Sequence, residues 1–160
     1  MTTTVNKHER NLSAIIHAAT FSKYIIPFGN FILPLLLWTA NRKTYDFVDH
    51  NGKEALNFQI SLLLYGIVAG LFTIPFVIGL WPNIFDFGFG GFFDMLDRGT
   101  PSFRFDSNHF NWGLWLIPVG ISGLIHGFLF VLNVVYTILA TIRTSEGVRF
   151  TYPLTIKFLK

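Results

Sequence analysis

The sequence predicts an all-α fold, a polytopic helical membrane protein. Two long transmembrane helices follow a broken N-terminal hydrophobic segment, giving three to four membrane helices in all. Three observations carry this. Of 160 residues, 51% are hydrophobic and 13% are charged, whereas an ordinary soluble domain carries about 25% charged residues. The stretches Ala55–Trp81 and Trp112–Ile142 contain no Asp, Glu, Lys or Arg, and each exceeds the roughly 20 apolar residues needed to cross the hydrocarbon core. All four tryptophans, Trp38, Trp81, Trp112 and Trp115, fall at the ends of apolar stretches, at the level where the indole ring is buried and its N–H stays wet.

Residues 1–11 form a polar N-terminal tail, and residues 12–160 read as a single membrane domain. No small-residue cleavage pattern follows the apolar run that starts at Leu12, so that run is expected to remain in the mature protein. Segment 12–40 contains Lys23 and is interrupted by Pro27, Gly29, Asn30 and Pro34. Proline removes a helical hydrogen bond and disfavours helix at the preceding residue. Two arrangements fit. A kinked helix crosses once, or Leu12–Ile26 lies at the interface or re-enters while Phe31–Ala40 forms a second half-helix. Leu12, Ile15, Ile16 and Ala19 share one face opposite Ser13, His17 and Thr20, which suits an interfacial helix.

Residues 55–81 are the first span, 82–111 an outward loop, 112–142 the second span and 143–160 a cytoplasmic tail. The orientation follows from the basic residues. Arg42, Lys43 and Lys53 lie in the Asn41–Glu54 connection, and Arg143, Arg149, Lys157 and Lys160 follow the last span. The loop Pro82–Asn111 has only Arg98 and Arg104, beside Asp86, Asp94, Asp97 and Asp106. Lys7 and Arg10 favour a cytoplasmic N terminus, which requires segment 12–40 to re-enter or cross twice. The Phe- and Gly-rich run Phe85–Asp94 has no regular period and is expected at the headgroup level. The tail alternates Tyr152, Leu154, Ile156 and Phe158 with Thr151, Pro153, Thr155 and Lys157, as an extended segment does.

Candidate functional residues fall into three groups. Gly66 and Gly70 are four apart, and Gly113, Gly120 and Gly127 recur every seven residues with Gly123 beside them. Small residues on one face let helix backbones approach closely, either between these two helices or between two copies of the chain. His126 and Asn133 are polar groups at membrane depth and share a helix face. Such groups either hydrogen-bond a neighbouring helix or line a polar path. The run Phe47–Gln59 leads from the polar connection into the first span. Its Asp49, Gly52, Lys53, Glu54, Asn57 and Gln59 read as caps and interhelical polar contacts, because amides at the membrane edge need partners. Asp49 and His50 alone are too few to hold a metal.

The composition also excludes functions. With no Cys there is no disulfide framework or thiolate nucleophile. The net charge of +3 is spread beside apolar runs, so no nucleic-acid partner is expected. No nucleotide loop, nucleophile elbow, zinc-protease His pair or carboxylate pair is present. No enzyme activity, cofactor or metal is therefore expected. The expected partners are the lipid bilayer and other membrane proteins or a second copy of the chain.

Pro34-Leu-Leu-Leu-Trp38, Phe47-Val-Asp49, Gly52-Lys-Glu-Ala-Leu-Asn-Phe-Gln59, Glu146-Gly147 and Tyr152-Pro-Leu154 together resemble the bacterial domain-of-unknown-function family 4870. Those small membrane proteins are related to the twenty-kilodalton subunit of the chloroplast inner-envelope protein-import translocon. The likeness runs from Leu12 to Lys160. It departs in the long Phe-rich loop 82–111 and in the order Glu146-Gly147. It implies a bundle of three to four helices in the bacterial plasma membrane and no established activity. The function expected is a non-catalytic assembly or scaffold module linked to protein translocation or insertion. The rivals are a small transporter or channel with a path at His126 and Asn133, and a lipid-acting enzyme using Asp49, His50 and Glu54.

Overall fold

A computed structural model describes residues 5–85, 96–97 and 112–160, with side chains described at 5–74, 96–97, 117 and 119–160. The described residues form four α-helices and one 3-10 turn, with no strand. The helices are α1 (Lys7–Ala19), α2 (Gly29–Asn41), α3 (Asp46–Phe85) and α4 (Trp112–Ser145), and the 3-10 turn is Thr20–Tyr24.

Each boundary has a local cause. The Asn6 side chain caps α1 by accepting from the His8 N–H at 3.3 Å, and Glu9 lies in the first turn, where a carboxylate suits the helix dipole. Pro27 stops the chain after the 3-10 turn. Phe28 follows in the left-handed region at φ 59°, and α2 restarts at Gly29. A Cβ at Gly29 would lie 2.8 Å from the Ser22 carbonyl carbon, so only glycine fits. Helix α3 begins nine residues before the apolar stretch, with Asp46 and Asp49 in its first turn. The charged approach Asp46–Glu54 is therefore helix, continuous with the first apolar span.

The chain divides into two compact units, residues 1–65 with 128–160, and residues 66–127. In the first, the start of α1, the end of α2, the start of α3 and the end of α4 meet. His8 packs edge-on against Tyr45 at 5.8 Å, Trp38 Nε1 donates to Asp49 Oδ1 at 2.9 Å, and a Cβ on Gly147 would lie 3.0 Å from Arg10 Cδ. Toward the other end of this unit Tyr24 packs against Phe130 at 6.4 Å, and Asn30 reaches Gln59. So α1 runs in, the chain turns at Ile25–Phe28, and α2 runs back. The broken segment 12–40 is a helical hairpin with both ends at one side, not one kinked rod. Each arm has 13 residues, about 20 Å of helix, short of the ~30 Å hydrocarbon core.

The core of this unit is two small clusters. One is Ile16, Trp38, Val48, Ala55 and Leu56; the other is Phe58, Ala140 and Tyr152, with Phe58 and Tyr152 stacked at 4.1 Å. Away from the charged end, much of the surface of the long helices is apolar. The stretches Asp46–Ile74 and Val119–Ser145 are long and apolar enough to cross a membrane, yet only 33% and 17% of their most apolar windows are buried. The core helix of a soluble protein would be mostly buried, and exposed apolar surface on this scale marks a lipid or protein interface.

Trp38 lies against Gly52 rather than at a lipid boundary, and it is 5% exposed. The side chains of Trp81, Trp112 and Trp115 lie outside the described residues, as does the run Phe85–Asp94 beyond Phe85.

Candidate functional site

One face of α3 carries Asn51, Glu54, Asn57, Ser61 and Tyr65, spaced three or four apart. Such spacing keeps a single stripe along a helix. The C-terminal segment Phe150–Lys160 lies along this stripe without regular secondary structure, and α3 side chains supply the partners its main chain lacks. The Phe150 N–H donates to Asn51 Oδ1 and the Tyr152 N–H to Glu54 Oε2, both at 3.3 Å. The Tyr65 hydroxyl donates to the Leu154 carbonyl at 2.8 Å, and the Ile156 N–H to Ser61 Oγ at 2.8 Å. Asn57 bonds the Leu159 main chain twice, accepting from its N–H at 2.8 Å and donating to its carbonyl at 3.0 Å. The order of partners shows the path. The tail runs along α3 from Asn51 toward Tyr65, turns at Pro153–Leu154, and returns to Asn57.

Asn51 is the hub of the upper part of this frame. Its Nδ2 donates to the Phe47 carbonyl at 2.8 Å, which leaves Oδ1 as acceptor. That oxygen meets Thr144 Oγ1, His17 Nε2 and the Phe150 N–H, each at 3.3 Å. The His17 proton is thereby assigned to Nε2, and Nδ1 accepts from the Tyr152 hydroxyl at 2.9 Å. Burial pushes His17 down to about 4; the bond to Asn51 opposes this and the nearby His50 adds to it. Burial also pushes the Tyr152 hydroxyl up, with Glu54 adding to the shift, so it remains a donor. One buried cluster thus joins α1, α3, α4 and the tail.

A second layer lies lower in the same unit. Asn30 Nδ2 donates to Gln59 Oε1 at 3.0 Å, Gln59 Nε2 donates to Asn133 Oδ1 at 2.9 Å, and the Thr137 hydroxyl donates to the same oxygen at 3.3 Å. This chain of amides ties α2, α3 and α4 together. Interhelical polar bonds of this kind are each worth about 0.6–2 kcal/mol in a membrane setting.

At the polar end the returning tail and the start of α3 enclose a cleft of about 380 Å³. Asp46, Asp49, His50 and Glu54 line it together with Lys53, Arg149, Lys157 and Lys160. Much of this charge is already engaged. Lys53 pairs with Asp49, which also accepts from Trp38. Lys157 lies 3.8 Å from Glu54, but its side chain is 64% exposed, so the pair is worth little. Among the described residues no group of three or more His, Asp or Glu side chains is placed to hold a metal ion.

The structure gathers Asp49, Gly52, Lys53, Glu54, Asn57 and Gln59 into one unit, in different roles. Gly52 admits the Trp38 ring: a Cβ there would lie 2.3 Å from Trp38 Cδ1. Asp49 and Lys53 close the polar end, Glu54 and Asn57 hold the tail, and Gln59 bridges helices. His126 and Asn133 fall in different units. Asn133 is 1% exposed inside the amide layer, while His126 is exposed and lies 2.8 Å from the Ser122 carbonyl on its own helix. A Cβ at Gly66 would sit 3.9 Å from His126 Nε2, and at Gly70, Gly120, Gly123 and Gly127 it would meet nothing within 4 Å among the described residues. Gly113 lies where side-chain surroundings are not described. The residues that sequence reading passed over are Asn51, His17, Ser61, Tyr65, Thr144 and Tyr152. The stripe 51, 54, 57, 61, 65 on an otherwise apolar helix was the available signal.

No curated protein and no solved structure matches the chain. A family profile matches residues 8–159, and it is neither that of domain-of-unknown-function family 4870 nor of a translocon relative. The resemblance drawn from residues 34–38, 47–49, 52–59, 146–147 and 152–154 is therefore corrected, and the translocation role inferred from it goes with it. With 8–159 covered, the chain belongs to the magnetosome magnetite crystal formation protein family, MamF/MmsF.

Proposed function

We propose that this chain is a non-catalytic assembly module of the magnetosome membrane, acting in magnetite crystal formation by presenting a fixed charged platform on one side of the bilayer. The observation that carries this reading is the fastening of the tail along α3. Five α3 side chains hold the tail main chain, and this brings Arg149, Lys157 and Lys160 beside Asp46, Asp49 and Lys53 around one cleft. A disordered tail would not hold three bases in register with the α3 carboxylates. The platform side also carries Lys7, Arg10, Arg42, Lys43 and Arg143, which supports a cytoplasmic orientation with the C terminus on that side.

The test uses the host carrying a deletion of the gene. Complementation with Arg149→Gln/Lys157→Gln/Lys160→Gln is expected to leave the protein in the magnetosome membrane, since these side chains are exposed, but to give crystals as defective as those of the deletion. Full restoration of crystal size and shape by the triple variant would sink the platform reading. Recovery of the wild type alone and monomeric in mild detergent would count against an assembly role. A C-terminal tag on intact isolated magnetosomes should be removed by added protease without detergent.

A further inference from the structure

Two turns in the first unit are built alike, and neither suits water. At each, proline precedes a large apolar residue in the left-handed region: Pro27–Phe28 with φ 59°, and Pro153–Leu154 with φ 58°. Glycine or asparagine is the usual occupant of that conformation. Phe28 and Leu154 gain no packing in return, being 71% and 65% exposed. Their neighbours are also apolar and exposed, Ile25 at 86% and Ile156 at 40%.

Both turns lie at similar depth. Leu154 bonds Tyr65, eleven residues along α3 from Glu54, and 11 residues of helix rise about 16 Å. Tyr24, just before the other turn, packs on Phe130, thirteen residues along α4 from Arg143, or about 20 Å. Half of the hydrocarbon core is about 15 Å. The tips therefore stop near the middle of a bilayer entered from the polar end. Leu63, Leu64, Phe130 and Val131 of the two long helices are likewise exposed. Among the described residues near the tips the charged one is Lys23, whose ammonium lies 5.0 Å over the Tyr24 ring.

We infer that the α1–α2 hairpin and the folded-back tail are insertions into one leaflet only, and that they make this protein prefer a strongly curved membrane whose convex leaflet is the one they enter. The occupant of the exposed tips is lipid acyl chain. The hairpin tip with the start of α2, and the turn of the tail, take up area in that leaflet, and the strain this creates is relieved when that leaflet is convex. The inference rests on the membrane reading above. In a vesicle formed by invagination of the inner membrane, the cytoplasmic leaflet is the convex one, and that is the side to which the basic residues assign the insertions.

The experiment uses full-length protein in giant vesicles from which narrow tethers are drawn, scoring molecules whose engineered Lys43→Cys faces outward. Wild type is expected to be enriched in the tether by at least about twofold over the flat membrane. Phe28→Asn/Leu154→Asn suits the left-handed turns but removes the apolar tips, and is expected to lose most of the enrichment. Equal density of wild type in tether and flat membrane overturns the inference, as does unchanged enrichment of the double variant. A second measurement reads depth directly. Bimane on Phe28→Cys or Leu154→Cys should be quenched by nitroxides at mid-chain lipid positions and resist impermeant thiol reagents from both sides. Tips that label from water, or that cross-link between copies without lipid quenching, overturn it too. Failure of the wild type to pellet with membranes would instead strike the membrane reading itself.

Discussion

Asn51, His17 and Gly52 show how much of this structure rests on single side chains. Gly52 faces an indole ring that is fixed three ways: Arg42 stacks on it at 4.8 Å, Asp49 accepts its N–H, and the ring is buried. The ring cannot move aside for a Cβ 2.3 Å from Cδ1. Gly52→Ala is expected to cost about 1–3 kcal/mol, seen as a lower thermal midpoint in detergent; an unchanged midpoint would show that the ring is free to shift. His17 makes stability depend on pH. Its folded pKa, about 4, lies below the ordinary 6.5, so between those values the unfolded chain binds the extra proton. Stability is then full above pH 6.5 and falls as pH drops toward 4, by at most about 3 kcal/mol. His17→Gln should flatten that slope between pH 7.5 and 5. A wild type with no slope in this window would contradict the burial of His17.

Among the elements, the tail is the least conventional. It has the alternating pattern of a strand but pairs with no strand. Side chains of one helix stand in for the missing ladder, and Asn57 copies a two-bond strand pairing with its amide. Asn57→Leu removes both bonds and leaves the Leu159 groups bare. The expected outcome is faster cleavage within 150–160 by a limiting dose of protease in detergent, with the helices intact. Cleavage at the wild-type rate would mean that the other four contacts suffice. In the second unit, the open space beside Gly123 and Gly127 carries an opposite expectation. With nothing to clash, Gly123→Ala and Gly127→Ala should stabilise α4 by roughly 0.5–1 kcal/mol each through helix propensity. Loss of stability, or of a dimer, would reveal a second copy seated on that face.

At the scale of the molecule, the described residues distribute polarity in the reverse of a soluble protein. The first unit buries Asn51, Asn57, Gln59, Asn133, Thr137, Thr144 and His17, and exposes Leu, Ile and Phe over much of its surface. Apolar burial cannot organise helices in a solvent as apolar as their own side chains. Polar contacts, two close glycine approaches and ring stacking do it instead. Each buried amide is satisfied by a group from another element, so the hairpin, both long helices and the tail form one connected frame.

The sequence by itself determined the class of fold, because a helix must be a certain length and free of charge to cross hydrocarbon, and residues 55–81 and 112–142 meet that demand on composition alone. It also marked the break in segment 12–40, since proline acts locally. Only the tertiary structure decided that this segment is a hairpin, that the tail folds back along α3, and that Asn51 is a hub. These depend on which distant groups meet: His17 finds Tyr152 across 135 residues and Asn57 finds Leu159 across 102. A hydrogen bond carries no trace in the sequence of the partner that completes it, so the membrane could be read from the chain while the frame built within it could not.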